Sequence, residues 1–405
     1  MIHSSAFQPK IYPFNGSADP DEIDRLQDMS GTTNLKRDKV YEIGRDDLIS
    51  WKEGIPEVSM TLKQNEYGTM RFWNMLANKA TSNTDLTLND FKTSYFDIAG
   101  FATDDSGTFL STMWYPEMRL SGFGLNIGDP EATVERTFTV MGEDAIVWQG
   151  NNKYLIYLSS TATGAGHQIV IGSGGFSTYP DPISDPDSSG ATYLIRVLRY
   201  RGTTTTQLTL TTDFTYNSSS QLITIPASQS GDVYRIWYTA TTYISGVNPF
   251  VDNDSDAASL SADSVSVYLQ TSNYLYRLQS VAIDVSFDRQ DLKEIGSSET
   301  VQRGIREKNV RITLGRLLEA FTIEEVLRGC VADYGKLDPR EFSDNIELIV
   351  KIYNNRDKDT FLLGYKFTNL VTASLDTGVP LRDYVKSGSV LSGDACEITD
   401  VEGNL

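Results

Sequence analysis

RLQDMSGTTNLKRDKVYEIG spans residues 25–44, and RLQSVAIDVSFDRQDLKEIG spans residues 277–296. Both open on Arg-Leu-Gln: Arg25, Leu26 and Gln27 in the first, Arg277, Leu278 and Gln279 in the second. Both close on Glu-Ile-Gly: Glu42, Ile43 and Gly44, then Glu294, Ile295 and Gly296. Each carries an arginine at its thirteenth position, Arg37 and Arg289. The two align without a gap at a spacing of 252 residues (277 minus 25).

The match extends along the chain at the same spacing. VSMTL (58–62) falls on VRITL (310–314), and both alternate with β-branched residues as strands do. Each is followed by a helix-like segment, EYGTMRFWNMLANK (66–79) and RLLEAFTIEEVLRG (316–329), the latter with Gly329 as a C-cap. Thr108–Leu110 then meets Thr360–Leu362, each closing a hairpin with a polar turn, ATDDSG (102–107) and NNRDKD (354–359). Farther on the identities fall at a spacing of 250: Tyr115 with Tyr365, Leu120 with Leu370, Val140 with Val390. The order of features is the same throughout, which predicts two copies of one domain over about 20–150 and 272–402.

Between them the composition changes. No Lys occurs from 154 to 292 and no Glu from 144 to 293. Short alternating runs, TYLIRVLRY (192–200), TQLTLTT (206–212), QLITIPA (221–227) and VYRIWYTATTY (233–243), are separated by turn signals. That is the size and spacing of an Ig-like sandwich. The expected class is mainly β, in three parts: copy one over 1–150, an inserted all-β domain over 151–265, copy two over 266–405.

The chain has 405 residues, 40% of them hydrophobic, enough to bury real cores. Its net charge of -19 ill suits a grip on phosphate backbones, which rests on cations. It suits a surface that DNA passes without sticking, and equally a charge that only keeps the protein soluble. No apolar run reaches the length of a membrane span. The opening MIHSSAFQPK has no signal-peptide pattern, so folding in a cytoplasm is expected. Cys330 and Cys396 form no CxxC pair and read as two buried or half-buried thiols.

Motifs for chemistry are sparse. The two histidines, His3 and His167, leave only His167, in the loop-like TATGAGHQIV, for a Ser/His/Asp site. GSGGF (172–176) lacks the Walker lysine. Asp252, Asp254, Asp256 and Asp263 have part of the spacing of a calcium loop, but Ala257 stands where the sharp turn wants Gly. The run reads as a solvated exit linker, and neither a metal, a cofactor nor an enzymatic activity is expected. Gly44 and Gly296 each follow a strand, where glycine supplies positive φ.

A duplication without a catalytic site points to architecture: two fused copies of a ring-forming domain let three chains close a pseudo-hexamer. Here the chain resembles the tail tube proteins of long-tailed bacteriophages. The resemblance lies in Val58–Leu62 with QNEYGTMRFWNMLANK (64–79), in VERTFTVMGEDA (134–145) and in SGSVLSGDA (387–395). It lies also in the polar segment between Gly44 and Glu57, the place of that family's loop to the neighbouring ring. It implies that Arg45, Asp46, Asp47, Trp51, Lys52 and Glu53 lie in that loop. It further implies two tandem tail-tube barrels or sandwiches, each with a flanking helix. They would form homotrimeric rings stacked into a virion tube. Implied partners are the chain itself, a tape-measure protein, distal-tail and terminator proteins, and phage DNA passing unbound through the lumen. The other class the residues leave open is a surface adhesin, whose Tyr-rich insert would bind glycan.

Overall fold

A computed structural model of the chain describes residues 7–14, 21–35, 37–40, 50–54, 56–103, 109–128, 131–149, 154–171, 181–182, 194–202, 204–240, 259–270, 273–293, 300–317, 345–378 and 386–405. Its strands begin with β1 (Phe7–Pro13), β2 (Asp21–Glu22), β3 (Leu26–Asn34), β4 (Arg37–Val40), β5 (Ser50–Glu53) and β6 (Glu57–Asn65). Helix α1 (Arg71–Leu76) follows, then β7 (Asp85–Thr87), β8 (Phe96–Thr103), β9 (Phe109–Ile127), β10 (Glu135–Gly142) and β11 (Ile146–Gln149). The stretch expected as an insert, called the insert below, holds β12 (Tyr154–Thr161), β13 (His167–Val170), β14 (Leu194–Arg201), β15 (Thr204–Gln207), β16 (Thr215–Asn217), β17 (Leu222–Ile225) and β18 (Val233–Ala240). The remainder is β19 (Val265–Leu269), β20 (Asn273–Tyr274), β21 (Leu278–Lys293), β22 (Thr300–Leu317), β23 (Ile346–Tyr353), β24 (Phe361–Gly378), β25 (Lys386–Gly393) and β26 (Ala395–Thr399). The class is mainly β, in large antiparallel sheets. Two compact units divide the chain: residues 1–23, 96–116 and 145–254 form one, and 24–95, 117–144 and 255–405 the other.

The larger unit is built on an antiparallel sheet of eight strands in the order β3–β6–β10–β9–β21–β22–β25–β24. The first four pair among themselves as the last four do, down to their irregularities. Leu26 faces Gln64 and, past a bulge at Gln27, Asp28 faces Lys63; Leu278 faces Arg316 and, past Gln279, Ser280 faces Gly315. Thr139 faces Gly122 and Val140 faces Leu120, leaving Ser121 extra; Val390 faces Ser374 and Leu391 faces Thr372, leaving Ala373 extra. Arg25 and Arg277 share positive φ, 55° and 59°. Their carbonyls accept from the Asn65 and Leu317 amides, each at 3.2 Å. Arg37 faces Glu53 in the β4–β5 hairpin, and Arg289 faces Ile305 in β21–β22, again 252 positions apart.

These registers correct the later part of the sequence alignment. The counterpart of β9 in β24 stays 252 residues away, not 250: Glu117 and Asn369 are the positive-φ residues of the two strands, at 53° and 57°. Gly142 and Gly393, which face Val58 and Val310, put β10 and β25 251 apart. The structural partner of Val140 is therefore Leu391. The slip of two in β24 keeps every side chain on its own face, so alternation cannot reveal it, whereas the slip of one in β25 puts the half-buried Val390 on the opposite face from the buried Val140.

The helix expected over 66–79 forms only over Arg71–Leu76. Gly68, at φ 74°, breaks the coil, and Glu66 Oε1 takes the amides of Tyr67 at 3.0 Å and Gly68 at 2.8 Å. The far end stops before Asn78, at φ 56°. What remains is short but deeply seated: Trp73 meets Phe123, Phe138, Phe91 and Tyr365 edge-on at 4.8–6.0 Å. The second expected helix begins instead as strand, since Arg316 and Leu317 end β22; its other residues lie outside those described. A second sheet of this unit runs β20–β19–β23–β24–β26–β7. Cys396, on β26, is a buried free thiol, and Cys330 lies outside the described residues.

In the smaller unit, β2–β1–β8 form one antiparallel group, and residues 111–114 of β9 pair with β11. The insert adds a four-stranded sheet, β12–β18–β14–β15, and a three-stranded one, β13–β17–β16. Both contribute to one apolar core, from Ile156 and Ile236 on the first to Ile169 and Ile223 on the second. The insert is fastened to β1, β8 and β9. The Arg196 guanidinium lies over Trp237, Phe14 and Trp114 at 4.6, 4.7 and 5.1 Å and is paired with Asp97. Asp97 also accepts from Trp114 Nε1 at 3.1 Å, and Arg235 donates to the Pro13 carbonyl.

Candidate assembly surface

Alternation sorts the eight-stranded sheet onto two faces. One is core, carrying Leu62, Phe138, Phe123, Val285, Ile312 and Leu391. The other is open and polar. Its central rung reads Asp28–Lys63–Thr137–Gly124–Asp284–Arg311–Ser392 across seven strands. Carboxylate stands opposite cation at Asp28/Lys63 and at Asp284/Arg311. This rung is balanced, so the chain's -19 is not concentrated on it. Gly122 and Gly124 have no side chains to raise the surface, and a shallow hollow of about 620 Å³ lies where β9 meets β21.

The outer strands of this sheet, β3 and the 371–378 stretch of β24, each have one partner there among the described residues, β6 and β25. The β3 side chains are half-buried or exposed along its whole length. Its copy-two counterpart β21 has both edges paired and buries Val281, Ile283, Val285 and Phe287. The contrast is sharpest just past β3: Leu35 is 56% exposed, while Phe287, 252 positions on, is 4% exposed against the Phe91 ring at 6.3 Å. Beside it Arg289 Nε donates to the Leu120 carbonyl at 2.7 Å, fastening β21 to β9.

Beneath the sheet lies a polar cluster that composition did not announce. Arg136, on β10, and Glu66 meet at 3.2 Å with side chains 1% and 0% exposed. Arg136 Nε donates to Gln64 Oε1 at 3.1 Å, and the Tyr365 hydroxyl donates to Glu66 Oε2 at 3.1 Å. Burial, then the Glu66 carboxylate, push the Tyr365 phenol well above its ordinary pKa, which keeps it a donor. The Arg-Glu pairing joins residues 70 apart in sequence, and no local pattern signals it.

The loop-candidate residues separate. Trp51, Lys52 and Glu53 belong to β5, paired with β4. Arg45, Asp46 and Asp47 lie outside the described residues, with Glu42, Ile43, Gly44, Glu294, Ile295 and Gly296 except that Lys293 still ends β21. Asp252, Asp254 and Asp256 also lie outside. Asp263 sits in a 3-10 turn, accepting from Ser261 Oγ. Among the described residues no group of His, Cys, Asp and Glu could hold a metal ion, and no helix is long and apolar enough to cross a membrane.

His167 opens strand β13 rather than sitting in a loop. Its Nε2 is 3.0 Å from Ser160 Oγ, its ring stacks on Tyr234 at 5.7 Å, and burial lowers its pKa. The sequence reading missed the Ser160 contact because the partner lies on the preceding strand, across a turn.

No family model matches the chain, and no curated protein matches it. Among solved structures, a chain of the anti-feeding prophage (AFP) baseplate, solved by cryo-EM and six-fold symmetrised, is similar over 35% of this chain and 92% of its own length. The identity is 13% and the TM-score 0.27, a likeness that carries no argument about what this chain does.

Proposed function

We propose that the chain is a structural virion protein, the subunit of a phage-type tail tube. One observation carries the reading: eight strands of one sheet fall into two fours with the same order, bulges and registers. A chain that already joins two such units through β9 and β21 contains one step of a repeating head-to-tail contact, and a repeated head-to-tail contact closes into a ring when its rotation permits. Three chains then make a pseudo-hexameric ring of duplicated tail-tube domains, and rings stack into a hollow tube.

In this reading the polar face of the sheet lines the lumen. Its small and charge-balanced side chains offer no cationic stripe to hold a phosphate backbone, so DNA and a tape-measure protein pass over it. The insert, read as an Ig-like sandwich, decorates the outside, and distal-tail and terminator proteins cap the ends. The chain is not an enzyme and needs no cofactor.

Cryo-EM of the purified chain, concentrated or nucleated by its parent particle's tail tip, tests this. Hollow rings or tubes with three-fold symmetry are expected. A species that stays monomeric under every assembly condition, with no such tube in the parent particle, would overturn it.

A further inference from the structure

We infer that β3 of one copy pairs with β24 of a second copy, antiparallel, in the register of the internal β9–β21 junction. This rests on the ring reading and names its seam. Within the chain Gly124 faces Asp284 and Phe123 faces Val285. Carried over by the 252-residue spacing, Asp376 faces Thr32 and Leu375 faces Thr33 of the next copy. Four observations point to this occupant rather than to another protein. Among the described residues, the edges of β3 and β24 left without a partner are the two that β21 and β9 use on each other. The bulges that set the register recur at Gln27 and Gln279 and at Ser121 and Ala373. Leu35 is exposed at the place where Phe287 is covered. Arg37 stands, 252 residues earlier, at the place of Arg289, which fastens the internal junction by donating to the Leu120 carbonyl.

The physical need is plain. Among the described residues β3 is a nine-residue strand paired along one edge only; an unpaired edge is a template for pairing, which native sheets blunt or cover. From Ser30 to Asn34 β3 has no large apolar side chain on either face and holds little register through its own pattern, so the bulges must supply it. One position differs. A Cβ on Gly122 would come within 2.6 Å of the Val285 carbonyl, and Ser374 occupies that place in copy two. The seam therefore opens at Ser374 and is tight from Leu375 toward Gly378.

Cysteine cross-linking of the full chain, in a Cys330→Ser background, tests the register. Thr32→Cys/Asp376→Cys should give a covalent ladder ending at the trimer on oxidation. Thr32→Cys/Ser374→Cys, displaced by two residues, should link far less, because diagonal neighbours lie about 7–8 Å apart, beyond a relaxed disulfide. Independently, Leu35→Asp should weaken ring formation at least about tenfold while leaving the monomer's unfolding curve unchanged, since an exposed side chain becomes covered only at the seam. Three-fold tubes that form without the Thr32–Asp376 link, or with the displaced link dominant, overturn the seam and leave the tube. The link without hollow rings keeps the seam and overturns the tube. Neither rings nor link overturns both.

Discussion

Arg136 and Glu66 are both charged and both removed from water, which makes each dependent on the other. Loss of one partner strands a charge in the core, at a cost of about 3–5 kcal/mol. Glu66→Gln should therefore lower stability by that order, read from urea unfolding midpoints. Tyr365→Phe, which removes one hydrogen bond to a charged group, should cost less, about 1.5–3 kcal/mol. A second carboxylate, Asp232, should make the insert sensitive to acid. Arg201 grips Asp232 through two bonds of 2.7 and 2.8 Å and, with the Gln229 amide and the Tyr234 hydroxyl, holds its carboxyl well below the usual range. The folded pKa is below the unfolded value of about 3.9, so the stabilisation is complete above about pH 5 and is lost as pH falls toward the folded value. The gap in melting temperature between the parent chain and Asp232→Asn should thus narrow on going from neutral pH to about pH 2. A gap independent of pH would refute it. Neither cluster was legible in the sequence. Asp232 lies next to a turn signal, and Glu66 stands where a helix was expected; their partners come from other strands, and a one-dimensional pattern records no such meeting.

At the scale of elements, β24 shows how one strand serves two sheets. Its residues up to Leu370 pair with β23 and its stretch from Val371 pairs with β25. Asn369 stands just before the change, at φ 57°. Asn tolerates this region, whereas a β-branched side chain clashes with its own backbone there. Asn369→Val should cost about 1–2 kcal/mol in thermal or urea unfolding, and Asn369→Gly should stay within about 0.5 kcal/mol of the parent. Equal losses in both would show that the side chain, not the backbone, matters. Strands with clean alternation were readable in advance: 58–62, 310–314, 192–200 and 233–243 all meet observed strands. The helix at 66–79 was over-read because its apolar spacing continues through Gly68, and only the backbone reveals that Gly68 turns the chain left-handed.

On the scale of the whole molecule, the insert is bound into its unit rather than hung from it. Excising residues 155–240 would strip Trp237 and Arg196 from Phe14 and Trp114 and leave Asp97 buried without its cation. The excised chain should show a lower melting temperature and exposed apolar surface, detectable by dye binding. An unchanged melting temperature would mean that the contact contributes nothing. A cleaner probe of assembly is therefore a surface change on the insert's outward strands, which leaves that seat intact.

The sequence by itself determined that this is a mainly β chain, that one stretch of it is written twice 252 residues apart, and that a Lys- and Glu-free segment lies between. Those are properties of composition and period, which each strand carries alone. Tertiary structure decided the rest: that the two fours of strands share one sheet, that the later spacing is 252 and 251 rather than 250, and that β21 is covered where β3 is open. A strand's own alternation sets which side chains share a face, but the neighbour it meets, and the residue opposite each rung, depend on hydrogen bonds to chain far away. RLQ opens β3 in one copy and β21 in the other; among the described residues β3 ends at Asn34 with one edge paired, while β21 runs to Lys293 with both edges paired.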